Sequence, residues 1–256
     1  MNTLHHQLFL AVNAWGAVAP VLWSMLSVLG LGLCAWIVFA LSVPPALGPQ
    51  DPAPPMRRLA ALLACFPIGG AATHGIKQVL QIARPAATLG IDQMVVIGTP
   101  LLTKAMPSGH AVTAFTVATL VSLERRLSWP WRLVVWLIAF AVALSRVAVG
   151  AHWPADIAVG ALLGVLVGHA GWWCAGQGRW VAHLMSPRGN VALALLLLVC
   201  SAALWDLPTG YPLALPGQRV LSAIGMGVGL WRLLRLTRPW RLWRPTRPAA
   251  PQSDPA

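Results

Sequence analysis

Two apolar stretches, WRLVVWLIAFAVALSRVAVG at 131–150 and ADIAVGALLGVLVGHAGWWCA at 155–175, decide the fold of this chain. Each is close to the roughly 20 helical residues that cross a bilayer core about 30 Å thick. Further apolar blocks of that length or slightly less lie at 20–43, 58–82, 108–124, 190–206 and 217–234. The pattern predicts an all-α fold, a polytopic transmembrane helical bundle of about six or seven spans.

The composition supports a bilayer as the solvent. Hydrophobic residues make up 57% of the 256 residues and charged residues only 9%, against about 25% charged in soluble proteins. A soluble monomer is thereby nearly excluded, and disorder is excluded for nearly the whole chain. Residues 4–18 mix histidine, glutamine and asparagine with leucine and phenylalanine, which predicts an amphipathic helix at the membrane interface. We expect no cleaved signal peptide, because no basic region precedes these residues.

The net charge of +12 is unevenly placed. Most arginines fall at 57–58, 125–132, 179–188 and 232–247, which alternate spans bring to one face. The positive-inside rule makes that face cytoplasmic and the amino terminus external. The basic, tryptophan-rich segment after the last block suits anionic lipid headgroups better than nucleic acid. Residues 248–256 (PAAPQSDPA) are expected to be a disordered tail.

Ionisable side chains near membrane depth concentrate in three short motifs at span ends, K-x6-RP, PSGH and SR-x5-H-x3-D. Such side chains are costly in a bilayer and usually functional. In the oriented bundle all three motifs reach the external face. The candidate site residues are Lys77, Arg84, Ser108, Gly109, His110, Arg146, His152 and Asp156.

Each motif taken alone also has a structural explanation. Lys77 and Arg84 could be cations snorkelling at a span end, Ser108 a helix cap and Asp156 an acid that favours a helix dipole. Those explanations do not predict three cations, two histidines and one acid on a single face. His74, one turn before Lys77, lies outside the motifs and is expected to be a structural polar residue rather than a substrate contact.

The clustered residues suit a phosphoryl group. Arginine and lysine recognise a dianionic tetrahedron, and the helix that begins near Ser108 adds free backbone N–H groups. His152 lies four residues before Asp156, so the carboxylate can hold one ring nitrogen and leave the other free as a nucleophile. His110 can supply a proton to the leaving oxygen.

The three motifs together resemble those of the type 2 phosphatidic acid phosphatase family, which shares its catalytic core with vanadium haloperoxidases. The resemblance spans roughly residues 5–175. It implies hydrolysis through a phosphohistidine without metal or other cofactor. It further implies His152 as nucleophile, Asp156 as its orienting acid and His110 as general acid. The remaining motif residues would bind phosphate: Lys77, Arg84, Ser108, Gly109 and Arg146. We expect a catalytic membrane core over 1–180 and two additional spans with a basic segment over 181–247.

The layout, an interfacial helix followed directly by the core, also looks like bacterial undecaprenyl-diphosphate phosphatases of this family. Lipid A phosphatases and phosphatidylglycerophosphate phosphatases share the chemistry and stay open as alternatives. A lipid phosphotransferase would use the same intermediate, whereas a non-catalytic carrier would not need a His-Asp pair. A soluble haloperoxidase is disfavoured by the bilayer-length blocks. The expected location is the bacterial inner membrane with the site facing the periplasm. The sequence predicts nothing about oligomeric state.

Overall fold

The computed structural model describes residues 3–42, 54–124, 127–177 and 180–237, and these ranges contain helices joined by turns and loops. Short 3₁₀ turns occur at Ile91–Gln93 and Pro212–Ala214. The helices are α1 (Thr3–Asn13), α2 (Trp15–Val18), α3 (Pro20–Leu29), α4 (Gly32–Ser42), α5 (Pro54–Leu80), α6 (Pro85–Leu89), α7 (Gly109–Ser122), α8 (Trp129–Ala148), α9 (Pro154–Gln177), α10 (Trp180–Met185), α11 (Pro187–Trp205) and α12 (Leu215–Thr237).

Five stretches are long and apolar enough to cross a membrane, and a sixth is gained if two bent helices form one span. The five are Met56–Leu89, Trp129–Ala148, Pro154–Gln177, Pro187–Trp205 and Pro212–Leu236. The bent pair is Leu4–Val18 with Pro20–Leu29, whose axes turn by 108°. The all-α, polytopic class predicted from the sequence is therefore confirmed.

Two predicted blocks differ from continuous spans, which is why the count is five or six rather than six or seven. Block 20–43 is divided into α3 and α4, with Gly30 and Gly32 on either side of the break, because glycine disfavours a continuous helix. Block 108–124 forms only the 14-residue α7, about 21 Å long, which is shorter than a bilayer core.

The predicted interfacial segment 4–18 is helical and packs against the end of α8 and the residue that precedes α9. The ring centroids of His5 and His6 each lie 5.2 Å from the Trp153 ring, and that of Phe9 lies 5.0 Å away. Buried Asn13 donates to the carbonyl oxygens of Val147 and Ala148 and accepts from the N–H of Val95. These contacts hold the amino-terminal helix against the loop that follows α8.

The centre of the protein is formed by α5, α7, α8 and α9, with α7 and α9 in especially close contact. Gly160, Gly164 and Gly168 lie one turn apart on α9, and a Cβ at any of them would come within 2.7 Å of an atom of α7 or of its N-cap residue Ser108. Small residues at this spacing let two membrane helices approach at backbone distance. The close approach brings the start of α7 beside the start of α9, where the motifs lie.

The last two long helices, α11 and α12, pack on each other and on α4. Leu197 and Leu204 are fully buried, and the Ser222 hydroxyl donates to the carbonyl oxygen of Ser201. All four cysteines are free: Cys34 and Cys65 are buried in the core, and Cys174 and Cys200 are half-buried. Arg125, Arg126, Arg179, the basic segment from Arg238 onward and the tail 248–256 lie outside the described residues.

Candidate active site

The three motifs lie at helix ends that meet on one side of the bundle. Lys77 lies in the last turn of α5, and Arg84 precedes α6. Ser108 occupies the N-cap position of α7 without a side-chain cap hydrogen bond, and the first residues of the helix are Gly109 and His110. Arg146 lies in the last turn of α8, His152 in the loop after it, and Asp156 in the first turn of α9. The loop 90–107 covers this side of the bundle and contributes backbone carbonyl groups to it.

The imidazole of His152, only 2% exposed, contacts a guanidinium on one side and a carboxylate on the other. Arg84 Nη1 lies 3.1 Å from Nε2, and Asp156 Oδ2 lies 3.2 Å from Nδ1. Because a guanidinium only donates hydrogen bonds, Nε2 accepts from it and the ring proton sits on Nδ1. Nδ1–H donates to Asp156, and the lone pair of Nε2 faces the cations.

His152 is held as the neutral base by its surroundings. It lies in the loop between α8 and α9, where burial lowers its pKa well below the usual 6.5, and the nearby charges of Arg84, Arg146 and Lys77 lower it further. Desolvation and positive neighbours both disfavour the imidazolium. The lone pair on Nε2 is therefore available at neutral pH, which a nucleophilic nitrogen requires.

Asp156 is fixed by the backbone on either side of it. Its Oδ2 accepts from the Trp153 N–H over 2.8 Å, and its carbonyl oxygen accepts from the Ser108 N–H over 3.0 Å. The second bond ties the PSGH motif directly to the start of α9. Asp156 therefore links two parts of the site: its side chain holds His152, and its backbone carbonyl holds the residue that precedes α7.

Backbone carbonyl groups of the covering loop hold the two cations of the first motif. Lys77 Nζ donates to the carbonyl oxygen of Lys104 over 2.6 Å, and Arg84 Nε donates to that of Thr103 over 2.7 Å. Arg84 Nη1 also donates to the carbonyl oxygen of Ala151 over 2.8 Å. These neutral acceptors orient the two positive charges without cancelling them, so the charges stay available to an anion.

The Ser108 hydroxyl is fully buried and has no hydrogen-bond partner within the described structure. Buried hydroxyl groups are normally paired, so an unpaired one beside fixed cations is expected to serve a ligand. The N–H groups of the first turn of α7 open in the same place, and such helix starts favour anions. A tetrahedral anion would pair this hydroxyl.

Comparison with known proteins identifies a family for the segment that carries the three motifs. Residues 58–180 match the family model of the PAP2 superfamily and include all three motifs. This segment belongs to the PAP2 superfamily. The structure of LpxE from Aquifex aeolicus has the same fold, with a TM-score of 0.55 and 24% identity, covering 66% of this chain and 95% of that one.

Curated relatives of the PAP2 segment match over short stretches. The lipid A 1-phosphatase of Porphyromonas gingivalis is 43% identical over 68 residues, 26% of this chain and 15% of the relative. The bacitracin transport permease protein BcrC of Bacillus licheniformis is 36% identical over 31% of this chain and 38% of the relative. The undecaprenyl-diphosphatase of Sulfolobus acidocaldarius is 45% identical over 23% of this chain and 27% of the relative. The chain thus matches less than two fifths of the length of each. With its apolar helices and these relatives, the chain is a multi-pass membrane protein.

His110 of the PAP2 segment lies between two cavities. A mostly apolar cavity of about 290 Å³ reaches it from the side of α5, past Gly70 and Thr73. A more polar cavity of about 320 Å³ reaches it beside Arg146. Within the described residues His110 makes no hydrogen bond to another motif residue, and it lines the polar cavity together with Arg146. His74 lines the apolar cavity. Its expected role as a structural polar residue stays a prediction.

Arg146 makes a contact that the motifs did not predict. Its Nη1 donates to the Tyr211 hydroxyl over 2.8 Å, and its Cζ lies 5.5 Å from the centroid of the Tyr211 ring. Tyr211 comes from the loop before α12, outside the PAP2 segment. The only sequence signal for it is that it is the single tyrosine of the chain, which by itself points to no partner.

The site residues offer cations rather than metal ligands. Within the described ranges, no three His, Cys, Asp or Glu side chains come together in a group that could hold a metal ion. His152 already uses both ring nitrogens, on Arg84 and on Asp156. The arrangement can bind a phosphoryl group with three positive side chains and present it to one imidazole nitrogen.

Proposed function

We propose that this protein is an integral-membrane lipid phosphate phosphatase that hydrolyses a phosphomonoester or diphosphate, with undecaprenyl diphosphate or a related lipid phosphate as substrate. The observation that carries the proposal is the contact series Arg84, His152 and Asp156, which leaves the Nε2 lone pair directed at the cationic side of the site. Membership of the PAP2 superfamily and phosphatase-named relatives support it.

In the proposed reaction His152 Nε2 attacks phosphorus, and the bond to the leaving oxygen breaks as His110 gives that oxygen a proton. The product is a phosphohistidine whose ring keeps its proton on Nδ1, where Asp156 offsets the positive charge. Water then attacks phosphorus and passes a proton to His110 while the P–Nε2 bond breaks, which releases inorganic phosphate and restores the neutral His152. Lys77, Arg84 and Arg146 stabilise the charge on the equatorial oxygens, and Ser108 and Gly109 donate to them.

We place the site on the periplasmic side of the bacterial inner membrane. On α5 the pair Arg57 and Arg58 lies near the start of the helix and Lys77 in its last turn, so the paired arginines lie at the end away from the site. On α8 Arg132 lies near the start and Arg146 near the end. The positive-inside rule makes the arginine-paired end cytoplasmic, and a periplasmic site would suit a lipid diphosphate that is recycled after cell-wall synthesis. Residues 1–180 would form the catalytic core and 181–247 an added helical unit.

A second candidate is removal of a phosphate from lipid A, favoured by the similarity to the lipid A 1-phosphatase of Porphyromonas gingivalis. Both substrates carry a phosphate next to long apolar chains, and the apolar cavity beside His110 suits either. Transfer of the phosphoryl group to a lipid acceptor would use the same phosphohistidine. The acceptor is decided by what reaches His152 after the first product leaves.

The test is phosphate release by the purified protein in EDTA from undecaprenyl diphosphate, phosphatidic acid, phosphatidylglycerol phosphate and lipid A. Activity should persist in EDTA because three side-chain cations neutralise the phosphoryl group. A labelled donor mixed with acceptor lipids separates the two reactions, since only a transferase moves label into lipid. His152→Ala should release no phosphate, and its matched control is His169→Ala, which removes an exposed histidine on α9. Release of phosphate from none of the four lipids by wild type and control would contradict the proposal.

A further inference from the structure

The loop before α12 forms one wall of the polar cavity beside His110. Thr209 and Tyr211 of this loop line the cavity, of about 320 Å³, together with Thr99 of the covering loop and Arg146 of α8. Of these four residues only Arg146 belongs to a motif. The loop 206–214, which carries Thr209 and Tyr211, lies beyond the segment that matches the PAP2 superfamily. The loop between α11 and α12 therefore reaches the site itself.

Tyr211 determines how the Arg146 side chain is held. Arg146 is 2% exposed, and within the described chain the Tyr211 hydroxyl is the one hydrogen-bond partner of its guanidinium. Its Nε has no partner. A buried guanidinium with five donors and one bond has most of its capacity left for a ligand. The single bond from Nη1 sets the direction in which the remaining donors point.

The backbone of Arg146 connects this direction to the nucleophile. Its carbonyl oxygen accepts from the N–H groups of both Ala151 and His152, each over 3.0 Å. Arg146, the residue that Tyr211 orients, is therefore hydrogen-bonded through its backbone to His152, the nucleophile of the proposed reaction. A shift of the guanidinium would misplace a phosphoryl group relative to His152 Nε2.

The loop that carries Tyr211 is itself held from two sides. Gln218 of α12, 2% exposed, donates to the carbonyl oxygens of Leu204 over 2.6 Å and Leu207 over 3.0 Å, and accepts from the Thr209 hydroxyl. Gly98 of the covering loop and Gly210 approach so closely that a Cβ at Gly98 would collide with the carbonyl oxygen of Gly210. The position of the Tyr211 hydroxyl is thus specified by the fold and not by chance contact.

We propose that Tyr211 is a positioning residue that holds the Arg146 guanidinium for the phosphoryl group, so that the added helical unit is required for a complete site. The inference rests on the proposed function, because it needs Arg146 to bind phosphate. Tyr211→Phe keeps the ring over the guanidinium and removes only the hydroxyl. It should lower kcat/KM and raise the inhibition constant for orthovanadate by about tenfold, the effect of one hydrogen bond to a charged group.

The control is Leu213→Ala, in the same loop, whose side chain is 47% exposed and does not line the cavity. It should leave kcat/KM and orthovanadate inhibition unchanged. Leu213→Ala should keep the wild-type thermal unfolding midpoint, whereas Tyr211→Phe, which removes the acceptor of a buried guanidinium, should lower it slightly. If the wild type and Leu213→Ala release phosphate and Tyr211→Phe is equally active, the positioning role is overturned while the phosphatase assignment stands. If the wild type releases no phosphate from any lipid, the phosphatase assignment fails and the inference fails with it.

Because the chain has a single tyrosine, ¹⁹F NMR can test directly whether Tyr211 responds to a bound anion, a response that a purely structural role does not predict. Protein grown with 3-fluorotyrosine gives one ¹⁹F resonance, which reports on Tyr211 alone. We expect this resonance to shift and saturate as orthovanadate is added, at the concentration that inhibits phosphate release. An unchanged resonance in protein that orthovanadate inhibits would overturn the proposal.

Discussion

Arg84 Nη1 lies 3.1 Å from His152 Nε2, the atom that attacks phosphorus in the proposed reaction. The same guanidinium is anchored by the carbonyl oxygens of Thr103 and Ala151, so it stays in place when a ligand takes over the contact with Nε2. Nucleophile and charge stabiliser are thus in contact before substrate enters, and little reorganisation is needed at the moment of reaction.

The charge of Asp156 should matter more than its hydrogen bonds. In Asp156→Asn the amide oxygen can still accept from the Trp153 N–H and from His152 Nδ1, so the fold should be retained. The positive charge that forms on phosphorylated His152 loses its counterion, and we expect kcat to fall by roughly 10²–10⁴-fold. Steady-state kinetics and the thermal unfolding midpoint check this. A variant with wild-type kcat would contradict the role of the carboxylate.

Ser108 and Ser122, at opposite ends of α7, should separate binding from stability. Ser108→Ala removes a buried hydroxyl without a partner, so it should not lower stability but should weaken orthovanadate binding by about tenfold. Ser122→Ala removes the acceptor of the Trp136 indole N–H, so it should lower stability by about 1 kcal/mol and leave binding unchanged. Inhibition constants and unfolding midpoints of both variants decide. Equal inhibition constants would show that Ser108 does not touch the anion.

The low pKa of His152 predicts where the acid limb of activity lies. Burial and the charges of Arg84 and Arg146 lower the pKa well below 6.5, so the imidazole stays neutral and nucleophilic as the pH falls through the usual histidine range. Activity should be lost only when the pH drops through the depressed value. We expect kcat/KM, corrected for ionisation of the substrate phosphate, to lack an acid limb between about pH 6 and 8. A corrected limb centred at 6.5 would mean that His152 titrates like an exposed histidine.

Gly160 should be required for the contact between α7 and α9. A Cβ there would lie 2.7 Å from the carbonyl oxygen of Ser108, so Gly160→Ala must push the PSGH turn away from α9. We expect a loss of about 1–3 kcal/mol in the free energy of unfolding together with reduced kcat/KM. Gly75→Ala on α5, where a Cβ meets nothing within 4 Å, is the control and should be neutral or stabilising. Equal unfolding midpoints would contradict the close packing.

The sequence predicted the long helices well and the local breaks poorly. Unbroken apolar runs predicted the ends of α8 and α9 to within two residues, because bilayer thickness sets the length of these helices. The same criterion joined α3 and α4 into one block, since a single Gly-Leu-Gly step is a weak signal within apolar sequence. The 14-residue α7 was also expected to be longer.

For the site, motif spacing brought the right residue types to one face, but their partners depend on tertiary packing. Nothing in the spacing indicates that loop carbonyl groups at Thr103 and Lys104 hold the cations. The contact between Arg146 and Tyr211 joins residues 65 positions apart across two sequence regions. Such a contact arises from how α11 and α12 pack on the core, which no local pattern encodes. The roles assigned to the motif residues stay predictions.

The most direct measurement is the identity of the phosphorylated residue. Wild-type protein mixed with ³²P-labelled lipid phosphate and quenched in alkali within milliseconds should carry label on a peptide containing His152, stable to base and lost in acid. His152→Ala should carry none and release no phosphate, whereas His169→Ala should behave as wild type. Label on another residue, or phosphate release by His152→Ala, would contradict the account.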